Sequence, residues 1–93
     1  MIKSFASRET EKLFSREVSR KLPPTIQHIA RRKLVILDAA GSVEDLRVPP
    51  SNHLEKLSGK RQGQYSIRIS AQWRICFEWH GQDAHHVEIV DYH

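Results

Sequence analysis

Hydrophobic and polar residues alternate along three stretches in the second half of the chain, and this period of two predicts β-strands at 65–69, 73–79 and 86–92. The residues predicted to face the core are Tyr65, Ile67, Ile69, Trp73, Ile75, Phe77, Trp79, Val87 and Ile89. Successive side chains of a strand point to opposite faces, so these positions give the sheet one apolar face. The pattern predicts an antiparallel meander whose opposite face is open to solvent.

The first half of the chain has a helical period instead. Apolar residues at helical spacing predict a helix over 25–40, with Gly41 as a left-handed residue at its end. Ser7 is a candidate N-cap of an earlier helix, which the prolines of 22–24 bring to an end. Residues 2–5 alternate and predict a short strand. The helices are expected to cover the apolar face of the sheet.

Short segments connect these elements. A capped turn is predicted at 42–45, a proline loop at 48–52, and a short strand at 54–57. Residues 58–63 form a basic, glycine-containing turn, and 80–85 are predicted as the turn before the last strand.

The length of the 70–72 loop has a consequence for charge. A loop of three residues places Ile69 opposite Trp73 and keeps both apolar sets on one face, whereas a loop of two would mismatch them. The same register places Arg68 opposite Arg74 on the other face. Because like charges directly across a sheet are destabilising, the pair predicts either a bound anion such as phosphate or a screening carboxylate. Glu78 and Glu88 are the candidate screens.

Composition adds a weak preference for a charged partner. The chain has 93 residues, with 15 Lys and Arg against 11 Asp and Glu and a pI near 9.6. This length predicts one domain, and the basic balance fits a polyanion, an acidic protein or a solvated surface. Cys76 is the only cysteine, which excludes an intramolecular disulfide and a cysteine-rich zinc site.

No segment predicts a membrane location. Residues 1–12 contain no apolar run of signal-peptide length, and the longest aliphatic run, 34–37, is far too short to span a bilayer. A soluble, cytoplasmic protein is expected. The histidines of the 80–85 turn and His86 are interpreted as solvated rather than metal-binding, and Cys76 has no predicted base partner.

The end of the last strand has the most distinctive chemistry. Tyr92 is predicted to point to the arginine face, and His93 comes directly after it. A phosphate clamp, an aromatic ring and a group that titrates near neutrality are the parts of an RNA-cleaving site. RNA supplies its own nucleophile in the 2′-hydroxyl, so this chemistry requires no metal and no cofactor.

Three segments of the sequence resemble HigB toxins of the RelE/ParE superfamily, particularly GraT-like members. They are "MIKSF" at the start, "LEKLSGKRQGQYSIRISAQWRICFEW" in the middle and "VEIVDYH" at the end, so the resemblance covers nearly the whole chain. It implies a single α+β domain over 1–93, with two N-terminal helices packed on one face of a mostly antiparallel, twisted sheet of four to five strands.

The resemblance also implies an activity and its partners. Such proteins are toxins of type II toxin–antitoxin systems that cleave mRNA in the ribosomal A site and so inhibit translation and growth. The implied partners are the ribosome, mRNA and a HigA-like helix-turn-helix antitoxin, with operator DNA contacted only through that antitoxin.

Site residues are assigned from the matching motifs. The family's terminal Asp-Tyr-His matches Asp91, Tyr92 and His93, and the arginine of its "WRI" motif matches Arg74. In this assignment Arg74, helped by Arg68, holds the scissile phosphate, and His93 is the general acid or base. Tyr92 stacks on or hydrogen-bonds the substrate. Asp91 either orients His93 or makes a structural hydrogen bond at the strand end.

The basic turn departs from the family pattern. Some relatives have a catalytic lysine just before the turn glycine, where this chain has Ser58. Lys56, Lys60 and Arg61 are nearby and are the candidate RNA-binding substitutes. Two alternatives to the nuclease stay open: a ParE-like inhibitor of gyrase, and a nucleic-acid or ribosome-binding module without chemistry.

Overall fold

The computed structural model describes residues 1–92, which form two helices followed by a four-stranded antiparallel sheet. The elements are α1 (Arg8–Phe14), α2 (Pro24–Ala39), β1 (Glu55–Lys56), β2 (Gln64–Arg68), β3 (Trp73–His80) and β4 (Asp83–Asp91). The strands lie side by side in chain order, so each pairs with the next. The predicted α+β meander is confirmed.

Both helices begin close to the predicted positions, but both end differently. α1 ends at Phe14, well before the prolines of 22–24, and Arg16 then takes a left-handed conformation at φ +65°. The Ser7 hydroxyl accepts a hydrogen bond from the Thr10 amide at 3.3 Å, and Pro24 occupies the first position of α2. The prediction of a left-handed conformation at Gly41 is wrong, because α2 ends at an extended Ala40 and the chain continues directly into the next turn. There the Asp45 carboxylate accepts from the Gly41 amide at 3.0 Å and from the Ser42 amide at 3.2 Å, which caps the start of the turn that follows α2.

The predicted register between β2 and β3 is confirmed. Ile67 pairs with Ile75 and Arg68 with Arg74, and the Ile69 amide donates to the Trp73 carbonyl at 2.9 Å. The predicted 80–85 turn is too long, because the hairpin closes at the His80–Asp83 pair.

Two irregular positions make the β3–β4 pairing possible. Gly81 takes φ +63° in the tight turn, which a glycine adopts without steric cost. The register then shifts between Cys76 and Glu78, beside His86 at φ +54°. After this bulge Val87 and Ile89 face the core, as the alternating pattern predicts.

The two shortest predicted strands are reduced in the structure. Residues 2–5 form only isolated parallel bridges, Ile2 with Ala84 and Phe5 with Val87, along the edge of β4. The Ile2 amide is held by the Asp38 carboxylate of α2 at 2.8 Å. Of the predicted 54–57 strand, only the two residues of β1 pair with β2.

The core lies between the helices and the apolar face of the sheet. Its buried members include Leu13, Ala30, Leu34, Leu37, Leu46, Ile67, Ile75, Phe77, Ala84 and Val87. The Ile89 amide donates to the Thr10 hydroxyl at 2.9 Å, which fixes α1 against β4. Within residues 1–92, no helix combines the length and hydropathy needed to cross a bilayer.

Candidate functional site

Arg74 is the central side chain of the candidate site, and it is only 9% exposed. Its Nε donates to the Ser66 hydroxyl at 2.7 Å, and Nη2 donates to the His53 carbonyl at 2.6 Å. Nη1 lies 3.6 Å from a carboxylate oxygen of Glu55. Because two edges of the guanidinium are fixed by hydrogen bonds, its orientation is set before any ligand arrives.

The expectation of an open arginine face is wrong around Arg74. Ser66 and Cys76 on that face are fully buried. Arg74 donates to the Ser66 hydroxyl, and Arg61 lies over the same face, where it pairs at 3.0 Å with Glu88, the residue opposite Cys76. Burial raises the pKa of the Cys76 thiol, so this cysteine is a packing residue rather than a nucleophile.

The two carboxylates predicted to screen the arginine pair contact other side chains instead. Glu88 pairs with Arg61, and its hydrogen bond raises the pKa of that guanidinium. Glu78 accepts from the ring nitrogens of His80 and His86, which lowers the pKa of the Glu78 carboxyl. Arg74 has the half-exposed Glu55 instead.

Tyr92 lies beside Arg74, as its strand position predicts. The Arg74 guanidinium carbon is 5.8 Å from the centroid of the Tyr92 ring, a cation–π distance. The Tyr92 amide donates to the Gln72 carbonyl at 2.6 Å, which fixes the backbone. With 38% of its surface exposed, the ring is available to a ligand.

Asp91 precedes Tyr92 in the chain, so its position belongs to the opposite face of the sheet. It pairs with Trp73 across the sheet, and its carboxylate accepts from the Gln72 amide group at 3.1 Å. This contact is the structural hydrogen bond that the sequence offered as one role for Asp91. The predicted acid or base, His93, lies outside the described residues.

Arg68 sits opposite Arg74 in the sheet but lines a cavity of its own. This cavity has a volume of about 340 Å³ and lies between α2, the 51–53 segment and the β2–β3 turn. Its lining residues are Ile29, Arg32, Lys33, Ser51, His53, Arg68, Ile69 and Ser70. We call it the α2–turn cavity. Arg68 and Arg74 therefore belong to two adjoining sites, the α2–turn cavity and the pocket around Arg74. His53 belongs to both sites.

His53 is a candidate that the sequence analysis missed. It comes after the proline loop in a left-handed conformation, φ +43°, and its side chain is exposed. Its carbonyl accepts from Arg74, and the residue also lines the α2–turn cavity, as Arg68 does. The available signal was a histidine shortly after two prolines, because prolines restrict the backbone of such a loop and so constrain the placement of the next residues.

The three basic residues predicted to bind RNA have different surroundings. Arg61 is paired with Glu88 and Gln64. Lys56 pairs with Tyr65, whose side chain belongs to the apolar face, so this lysine lies on the face away from Arg74. Lys60 is exposed in a short helical turn that begins after Ser58.

The arrangement suits a phosphate beside an aromatic ring. A pre-oriented guanidinium supplies N–H donors to an anion, and a half-exposed ring stacks on a base. Among the described residues, His53 is the histidine that contacts Arg74, and it does so through its backbone carbonyl.

Comparisons with known proteins identify the family of this chain. Residues 3–93 match the family model described as the RelE-like toxin of type II toxin–antitoxin system HigB. Endoribonuclease HigB of Proteus vulgaris is 32% identical over 93 residues, which is the full length of both chains. Toxin HigB-1 of Vibrio cholerae is 47% identical over 60 residues, 64% of this chain.

A protein of Haemophilus influenzae named only as uncharacterized is 34% identical over 67 residues. The matched segments span 63% of the Vibrio protein and 66% of the Haemophilus protein, slightly less than two thirds of each. With a family model that covers almost the whole chain, the conclusion is direct: the protein belongs to the HigB family of RelE-like toxins of type II toxin–antitoxin systems.

Proposed function

We propose that this protein is a toxin that cleaves mRNA on the ribosome and is neutralised by a HigA-like antitoxin. The observation that supports this most is the pairing of a pre-oriented Arg74 with the Tyr92 ring, 5.8 Å apart, at the end of β4. The name of the Proteus vulgaris relative, an endoribonuclease aligned along its whole length, supports the same activity.

In the proposed reaction, the RNA 2′-oxygen attacks the adjacent phosphorus and the 5′-oxygen leaves. The attacking oxygen loses a proton and the leaving oxygen gains one, so the products are a 2′,3′-cyclic phosphate and a 5′-hydroxyl. Arg74 neutralises charge that develops on the phosphate oxygens. Tyr92 holds a neighbouring base, and His93 transfers a proton, with Asp91 fixing the strand end.

Substrate binding requires one rearrangement near Arg74. Glu55 is the carboxylate nearest to Nη1, and its side chain is 53% exposed. A phosphate that binds the Nη1 edge of Arg74 replaces this carboxylate and supplies the negative charge that the largely buried guanidinium needs. Ser66 and His53 keep the guanidinium in place meanwhile. His53 is a second candidate for the proton transfer.

The basic surface fits the remaining partners. Lys60, the exposed cation of the 58–63 turn, contributes attraction for ribosomal and messenger RNA. A net charge of +4 also suits an acidic antitoxin segment, since opposite charges accelerate association.

The chemistry of the cut ends tests the proposal in cells. The chain is expressed from a tightly repressed promoter, and new RNA 5′ ends are mapped with and without prior phosphorylation by a polynucleotide kinase. Cuts inside translated frames that are captured only after kinase treatment are expected. Growth arrest without such ends would contradict the proposal and favour a gyrase-directed or purely binding toxin.

A further inference from the structure

We propose that the α2–turn cavity binds a second phosphate of the same RNA strand, adjacent to the phosphate held at Arg74. This inference rests on the proposed function, because it assigns a subsite to the same substrate. It gives Arg68 a different partner from the one that the sequence predicts, and it brings in Arg32 and Lys33 of α2, which no sequence motif indicated.

The cavity concentrates positive charge without a carboxylate. Three of its lining residues are the cations Arg32, Lys33 and Arg68, and none is Asp or Glu. Burial, together with the nearby Arg32 charge, lowers the pKa of the Lys33 amine. Charges held together against their mutual repulsion make a site that a bound anion stabilises.

Two of the cations are free to bind. Among residues 1–92, the side chains of Arg32 and Arg68 have no hydrogen bond or ion pair with another side chain or with the backbone. Lys33 is instead anchored, with its Nζ 2.5 Å from the Asn52 side-chain oxygen and 3.3 Å from the Ser51 hydroxyl. The cavity therefore combines one anchored amine with two guanidinium groups whose N–H donors can bind an acceptor.

Two serine hydroxyls in the cavity, like its cations, can donate hydrogen bonds to an anion. The Ser51 oxygen accepts from Lys33, and the Ser70 oxygen accepts from the amides of Gln72 and Trp73. Since each oxygen is already used as an acceptor, its O–H proton is available to donate. A ligand with several acceptor oxygens and no donors fits these walls, and a phosphodiester is such a ligand.

Position favours RNA over an acidic polypeptide. His53 lines the cavity and also holds Arg74 through its carbonyl, so the two phosphate positions share one residue. Neighbouring phosphates of one strand recur at short, regular intervals, which carboxylates of a folded protein do not. The volume of about 340 Å³ lies within the range of small-ligand sites.

The test uses the intact protein and two kinds of probe. Inorganic phosphate at constant ionic strength is titrated while the side-chain Nε–H signals of the arginines are followed by NMR. Uncleavable 2′-O-methyl dinucleotide and trinucleotide, with one and two internucleotide phosphates, are then compared. The signals of Arg32 and Arg68 are expected to shift with phosphate and to saturate. The trinucleotide is expected to bind more tightly than the dinucleotide.

Two matched charge-reversal variants distinguish binding in this cavity from a general effect of net charge. Arg32→Glu and Arg20→Glu change the net charge equally, and both side chains are exposed, but Arg20 does not line the cavity. Loss of a charge-assisted phosphate contact of about 1.4 kcal/mol corresponds to tenfold weaker binding. Arg32→Glu is therefore expected to weaken trinucleotide binding at least about tenfold and to raise the KM for message cleavage, with kcat and cut positions unchanged.

The outcomes distinguish this inference from the proposed function. If wild-type protein cleaves translated RNA and Arg32→Glu behaves like Arg20→Glu, the second phosphate site is wrong while the nuclease stands. If phosphate and trinucleotide shift Arg32 and Arg68 but no message is cut, the cavity binds the anion and the nuclease is wrong. Binding of a polyglutamate peptide at Arg32 and Arg68, without binding of the trinucleotide, would overturn the inference in favour of an acidic protein partner.

Discussion

The guanidinium carbon of Arg74 lies 5.8 Å from the centroid of the Tyr92 ring, which joins a buried cation on β3 to an exposed aromatic residue just after β4. The contact has two consequences. The ring shields one side of the cation from water, and the cation helps to hold the ring where a base can stack on it. The end of β4 is therefore positioned by contacts with β3.

Substitution of Tyr92 distinguishes stacking from hydrogen bonding. Tyr92→Ala removes the ring and is expected to weaken RNA binding about 5- to 150-fold, since stacking on a base contributes about 1–3 kcal/mol. Tyr92→Phe keeps the ring and is expected to stay within about threefold of wild type on that account. Binding of a 2′-O-methyl RNA by each variant is the measurement. A loss in Tyr92→Phe as large as in Tyr92→Ala would show that the hydroxyl, rather than the ring face, contacts the RNA.

The substitution Arg74→Lys keeps the positive charge but removes the planar guanidinium and its several N–H donors. The Ser66 hydroxyl and the His53 carbonyl lose their donors, so the free energy of unfolding is expected to fall by about 1–3 kcal/mol. Cleavage is expected to fall about 100- to 1,000-fold, as when one oriented donor is removed from a transition-state site.

The matched control for that change is Arg68→Lys. The Arg68 side chain makes no hydrogen bond with the rest of residues 1–92, so its replacement is expected to leave the unfolding free energy within about 0.5 kcal/mol. Urea unfolding and cleavage rates of the two variants give the comparison. Equal destabilisation by both would mean that the orienting contacts of Arg74 do not matter.

A double-mutant cycle tests the buried contact between Lys33 and Asn52. Asn52 is fully buried, accepts from Lys33, and donates to the Leu46 carbonyl at 3.0 Å. Asn52→Ala leaves the lysine amine with a poorer partner and is expected to cost about 3 kcal/mol. In the Lys33→Met background the same change is expected to cost at least about 1 kcal/mol less, because no buried charge remains. Equal costs in both backgrounds, measured by urea unfolding, would contradict the coupling.

The pH dependence of stability tests the link between α1 and the loop after it. The Ser19 hydroxyl donates to the Glu9 carboxylate at 2.7 Å, and this bond, aided by Lys12, lowers the pKa of Glu9. A lowered folded-state pKa means that the carboxylate stabilises the fold at neutral pH. That contribution is lost as pH falls below 4.5 through the folded-state pKa.

Glu9→Gln is therefore expected to lower Tm at pH 7, with the difference from wild type closing as the pH falls below 4.5. Glu11→Gln on the same helix is the control, since its exposed side chain makes no hydrogen bond within residues 1–92. A Tm difference for Glu9→Gln that stays constant from pH 7 to the acid range would show that the carboxylate charge is not involved.

The sheet was predictable because its pattern has one consistent solution. Only a three-residue loop keeps Ile69 and Trp73 on one face, and that condition alone gives the observed pairing of Arg68 with Arg74. Tyr92 reached the arginine face for the same reason of parity. Turn lengths were less predictable, because the bulge places two histidines, His85 and His86, between the buried Ala84 and Val87, so the period of two begins only after it.

The surroundings of Arg74 were not predictable from strand parity. Parity places a side chain on a face but does not say whether another group covers that face, and here Arg61 does so by pairing with Glu88, opposite Cys76. The small Ser66 leaves the room in which the guanidinium lies. His53 enters the site through a left-handed loop residue, a backbone choice that no apolar period reveals.

The most direct test of the account uses a message in a purified translation system, with ribosomes present or absent, and compares wild type with Arg74→Lys. The account predicts that wild type produces 5′-hydroxyl ends at codons in the A site only when ribosomes are present. It also predicts that Arg74→Lys lowers their yield about 100-fold or more. Equal cleavage by the two proteins, or no 5′-hydroxyl ends from wild type on translating ribosomes, would contradict the central claim.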